Sequence, residues 1–74
     1  MSERLPTLTP QKMRRIVERL GFVFQHQRGS HAYFRHVNGR WTSIAMHAKD
    51  VPRGTMKKIL RDIGVSYDEI KQFL

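Results

Sequence analysis

The chain has 74 residues and no cysteine, with 14 basic against 6 acidic side chains, a formal charge of +8. These figures exclude a disulfide-stapled domain and a cysteine-ligated zinc site, and no segment approaches the ~18 consecutive apolar residues of a membrane-crossing helix. They favour one small domain, residues 1–74, with a polyanionic partner.

Residues 1–8 show no clear period and read as a loose lead-in. They lack the apolar core of a signal peptide, so the cytoplasm is the expected location. Thr9-Pro10 reads as a helix start, with Thr as N-cap and Pro at the first helical position, where its missing N–H costs nothing. Met13, Ile16, Val17 and Leu20 then recur at i, i+3, i+4, i+7, one face of a helix that Gly21 closes. Residues 22–27 alternate as a strand, Phe22 and Phe24 on one face, Val23 and Gln25 on the other. Residues 31–36 alternate again, with Ala32 and Phe34 opposed to His31, Tyr33 and Arg35. Asn38-Gly39 marks a second hairpin turn, and residues 41–46 form a third strand. Residues 47–53 read as a loop. Gly54-Thr55 opens a second helix with Thr55 as N-cap; its stripe is Met56, Ile59, Leu60 and Ile63, and Gly64 ends it. Ser66 and Glu69 form a capping box for a short last helix holding Ile70, Phe73 and Leu74.

The order α-β-β-β-α builds a two-layer α+β sandwich, a three-stranded antiparallel sheet with helices on one face. Its expected core is the two helical stripes against Phe22, Phe24, Phe34, Ile44 and Met46. Parity leaves His31, Tyr33 and Arg35 on the uncovered face. A histidine, an aromatic and an arginine there suit RNA, through phosphate pairing, base stacking and proton transfer. Thirteen of the fourteen basic residues lie within residues 1–61, which also makes RNA or an acidic protein surface the natural partner.

The turn 28–31 concentrates the chemistry. Gly29 supplies backbone freedom. Ser30 has a hydroxyl suited to bonding the local backbone. Arg28 is either a phosphate contact or a solvated turn arginine. His31 brings an imidazole, one of the few side chains able both to give and to take a proton near neutral pH. Lys49 and Arg53 flank the second helix N-terminus and are either phosphate contacts or solvated side chains, and Tyr33 and Arg35 are either RNA contacts or a cross-strand pair. His47 is either a loop residue or a second proton-transfer group, and Trp41 reads as packing. His26, His31, His36 and His47 lack the i, i+4 spacing of paired helical metal ligands, so no metal site is expected.

Several features together resemble the HicA toxins of bacterial toxin–antitoxin pairs. They are the α-β-β-β-α order, Arg28-Gly29-Ser30-His31, Phe34, and the stretch 46–55 running into Met56-Lys57-Lys58-Ile59-Leu60. The resemblance spans roughly residues 8 to 70; the third strand departs from it, with Ile44-Ala45-Met46 where a small residue or proline is common. It implies a double-stranded-RNA-binding-domain-like fold and a cofactor-independent ribonuclease that cleaves messenger RNA and arrests growth. It also implies dependence on the histidine of Gly-Ser-His, here His31, and masking of that histidine by a HicB-type antitoxin. RNA scission without a metal needs a base for the 2′-hydroxyl proton and an acid for the leaving 5′-oxygen, and positioned proton transfer is worth about 10²–10⁴-fold. His31 is assigned as the base, and its partner is not named by the sequence. The alternatives are a non-catalytic RNA-binding module of the same fold and a protein-interaction module. The free chain is expected to be a monomer.

Overall fold

A computed structural model describes residues 8–73. In chain order it contains α1 (Pro10–Arg19), β1 (Val23–Arg28), β2 (His31–Arg35), β3 (Trp41–Ala45), α2 (Arg53–Ile63) and α3 (Tyr67–Ile70), which passes into a 3-10 turn, Lys71–Phe73. The strands form one antiparallel sheet in the order β1-β2-β3. This is the expected α+β, α-β-β-β-α arrangement of the double-stranded-RNA-binding-domain-like fold.

Both helical stripes bury, with Leu20 at the end of the first only partly covered. Met13, Ile16 and Val17 of α1 and Met56, Ile59, Leu60 and Ile63 of α2 join Phe22, Ala32, Phe34, Ile44 and Ile70 in one cluster. Thr9 caps α1, its hydroxyl accepting from the Lys12 amide at 3.2 Å. Ser66 and Glu69 make the reciprocal capping box of α3. The one buried polar residue of the described core, Thr42, donates to Asp62 at 3.1 Å, and the same carboxylate oxygen accepts from Lys58 at 2.9 Å. That bond ties β3 to the end of α2, where the Arg40 guanidinium also donates to the Asp62 carbonyl at 3.2 Å.

Several expectations are corrected. The first strand runs Val23–Arg28 rather than 22–27, and all six of its residues are exposed. Phe22 is buried just before it, but Phe24 is 39% exposed. The strand is an edge; the Phe24 ring meets Phe34 edge-on at 5.9 Å, and the Arg14 guanidinium lies 5.2 Å over it. Met46 is only partly buried, since it lies in the turn that follows β3. The second helix starts at Arg53, with Pro52 rather than Thr55 as its N-cap. Pro52 has the extended ψ of 153° that an N-cap needs, and its carbonyl accepts from the Met56 amide at 2.8 Å. Leu8 is not a loose lead-in: it is 3% exposed and its carbonyl accepts from the Val51 amide at 2.7 Å. The rest of that lead-in, and Leu74, fall outside the described residues. The Asn38-Gly39 hairpin is present, but Asn38 keeps a negative φ and only Gly39 is positive, at 95°. This is the longer turn with a terminal left-handed glycine, not the two-residue turn that Asn-Gly most often signals.

Candidate functional site

β1 and β2 meet at Gly29-Ser30. Gly29 has φ 56° and Ser30 a negative φ, the pattern of a two-residue type II′ turn, whose twist matches that of the strands it joins. Both turn carbonyls are engaged. The Gln27 side-chain amide donates to the Gly29 carbonyl at 3.0 Å, and the Met46 amide donates to the Ser30 carbonyl at 2.7 Å. Ser30 therefore serves the turn through its carbonyl rather than its hydroxyl. The end of β3 braces the turn from the side.

Arg28 and His31 close the turn as register partners, so both side chains leave the sheet on the same face. Straight period-2 alternation would have put Arg28 on the core face with Phe24. A β-bulge reverses this. Phe24 opposes Phe34, but the next pair is His26 with Tyr33, and Gln25 is the extra residue between them. Beyond the bulge, His26 and Arg28 are carried to the open face while Gln27 turns away from it. The His26 ring then lies flat on Tyr33, with centroids 4.8 Å apart and planes inclined by 14°.

The open face has three rows: Arg28–His31–Ala45, His26–Tyr33–Ser43 and Val23–Arg35–Trp41. In the last row the Arg35 guanidinium lies 5.8 Å over the Trp41 ring. None of these nine residues is acidic. Beyond that row, an open groove of about 330 Å³ is lined by Val23, Gln25, Arg35, His36 and Val37. Among the described acids, Glu18 pairs with Arg14, Asp62 with Lys58 and Asp68 with Lys71, while Asp50 is exposed in the connection after β3 beside Lys49.

Thus Arg28, Gly29, Ser30 and His31 come together, with Tyr33 in the adjoining row and Arg35 one row further along. Lys49 lies in the connection after β3, at the same end of the sheet as the turn, and Arg53 is the first residue of α2. Both are exposed, and among the described residues neither side chain has a hydrogen bond or ion pair that would hold it against His31. His47 is likewise exposed and without a partner among those residues. No group of three or more potential metal-ligating side chains converges among the described residues. Sequence reasoning missed His26, because nothing at Gln25 marks a bulge, and it assigned Trp41 only to packing.

A family model for the HicA toxin of bacterial toxin–antitoxin systems matches residues 10–65. The chain belongs to the HicA toxin family. No curated protein matches it. The family match takes in every element from α1 to α2, and with them the whole open face. As a HicA toxin, the chain is one half of a toxin–antitoxin pair and has an antitoxin as its partner. No helix among the described residues is long and apolar enough to cross a membrane.

Proposed function

We propose that this toxin is a metal-independent endoribonuclease of messenger RNA, with His31 as general base. His31 takes the proton of a ribose 2′-hydroxyl. The 2′-oxygen attacks the adjacent phosphorus, the bond to the 5′-oxygen breaks, and a 2′,3′-cyclic phosphate remains. Arg28 faces the phosphate as negative charge develops on it. Tyr33 and Arg35 contact the RNA on the open face, Lys49 and Arg53 contact phosphates beside it, and the Gly29-Ser30 turn sets the approach. A HicB-type antitoxin silences the toxin by covering this face. The toxin acts in the cytoplasm, as a monomer when free.

The observation that carries this reading is the pair Arg28–His31. A proton-transfer group and a phosphate-binding group stand side by side, exposed, on a face without a carboxylate. Induced expression of the unaltered chain beside His31→Ala, with total RNA run from both cultures, tests it. Growth arrest and message loss with the unaltered chain only is the expected result. Arrest with both would make the toxin a non-catalytic RNA-binding module. Arrest with neither, from soluble folded protein, would remove the ribonuclease reading.

A further inference from the structure

Cleavage by the route above needs an acid as well as a base, and one histidine cannot be both in the same instant. We infer that His26 is the acid: it protonates the leaving 5′-oxygen while His31 takes the 2′-hydroxyl proton. The inference rests on the ribonuclease reading and names the second group that reading lacks.

Three observations support it. The bulge at Gln25 turns His26 onto the His31 face, where uninterrupted alternation would have aimed it at the core side. Register then makes His26 the diagonal neighbour of His31 across β1 and β2, a separation of about 7–8 Å between such positions. A phosphodiester fits that gap, with its attacking and leaving oxygens in line and one hydrogen bond at each end. Finally, the imidazole is oriented: it lies flat on the Tyr33 ring, 4.8 Å away, which leaves its edge nitrogens for substrate.

The groups facing His26 are Arg28 on its own strand and His31, Tyr33 and Arg35 on β2, the strand paired with it. Arg28 is the register partner of His31 and lies two residues along β1 from His26, so it neighbours both histidines and is placed to hold the phosphate they would flank. His47 is the rival acid. It lies in the turn after β3 without a packed partner, and a group on a strand is positioned more accurately than one on a loop.

The step balances. One proton passes from the 2′-hydroxyl to His31 and one from the His26 imidazolium to the 5′-oxygen. The 2′-oxygen–phosphorus bond forms as the phosphorus–5′-oxygen bond breaks. Water then returns the two histidines to their starting states.

The test maps a linkage that the unaltered chain cuts in a short RNA, then places sulfur for the bridging 5′-oxygen at that linkage. A thiolate leaves without needing a proton, so it removes the demand for an acid. His26→Ala is expected to slow cleavage of the oxygen substrate by about 10²–10⁴-fold, and the sulfur substrate is expected to recover most of that loss. His31→Ala is expected to lose both substrates, and His47→Ala neither. His26→Gln, which keeps a planar group against Tyr33, is expected to behave as His26→Ala. Undiminished cleavage of the oxygen substrate by His26→Ala overturns the proposal. So does an equal loss on both substrates, which would make His26 an RNA contact, or the sulfur rescue appearing with His47→Ala instead. An unaltered chain that cuts no RNA fails the ribonuclease reading itself, and the acid assignment with it.

Discussion

Arg28 owes its place to backbone geometry rather than to its side chain's own interactions, for its guanidinium has no hydrogen bond or ion pair among the described residues. Its fork of donors is therefore free for a phosphate. Removing a single preorganised donor to a developing oxyanion costs about 10²–10³ in rate. Arg28→Ala is expected to lower kcat on a short RNA by that order, and Arg28→Lys to restore part of it, since charge returns without the bidentate geometry. Steady-state cleavage by the two variants checks this, and equal rates for Arg28→Ala and the unaltered chain would remove Arg28 from the phosphate. A contrasting case is Thr42, whose hydroxyl is spent on stability. It is buried at 3% exposure and bonded to Asp62. In Thr42→Val the carboxylate keeps Lys58, so only one hydrogen bond is lost, at about 1 kcal/mol. A lower urea midpoint with an unchanged slope, and unchanged cleavage, is the expected outcome.

At the scale of elements, the hairpin turn depends on Gly29. Its φ of 56° lies in the left-handed region, yet nothing stands within 4 Å of where a Cβ would be. The cost of Gly29→Ala is thus conformational, not steric, at about 1–2 kcal/mol, and Gly29→Asn is expected to cost less. Thermal unfolding of the two variants measures the difference; equal loss in both would point to a contact rather than to φ. This turn, and His31 at its edge, were legible from Arg28-Gly29-Ser30-His31. The helices were legible too, because Met13, Ile16, Val17 and Met56, Ile59, Leu60, Ile63 repeat at a helical spacing that few other structures produce. The bulge was not. Gln25 carries no glycine or proline to signal it, and strict alternation then misplaces every β1 residue beyond it, His26 included. The start of α2 was hidden for another reason: a threonine looks like a better cap than a proline, but the fixed φ of Pro52 and its extended ψ set the cap three residues earlier than Thr55. Phe24 was misassigned because an edge strand need not be covered by the layer above it.

For the whole molecule, the distribution of charge matters more than its sum. None of the acids among the described residues lies on a strand, and three of them are bound to basic partners three or four residues away along the chain. The sheet therefore presents Arg28 and Arg35 with no local neutralisation, and Lys49 and Arg53 extend that field beside it. If all four meet phosphates, each releases condensed counterions, and the dependence of log K on log salt has a slope of about −0.7 per phosphate for single-stranded nucleic acid. The expected slope for a single-stranded RNA binding to the cleavage-silent His31→Ala toxin is about −3, and each alanine replacement among the four is expected to make it shallower by about 0.7. Fluorescence anisotropy across a salt series measures this. A surface built only for an acidic protein partner would instead bind RNA weakly even at low salt, with a slope insensitive to these residues. The same field bears on the antitoxin: a partner that silences the toxin by covering the sheet must itself meet these cations. RNA and antitoxin should then exclude one another, and adding antitoxin to the His31→Ala–RNA complex should release the RNA in proportion to the antitoxin bound. A ternary complex that retains the RNA would place the antitoxin elsewhere on the fold and leave the sheet to RNA alone.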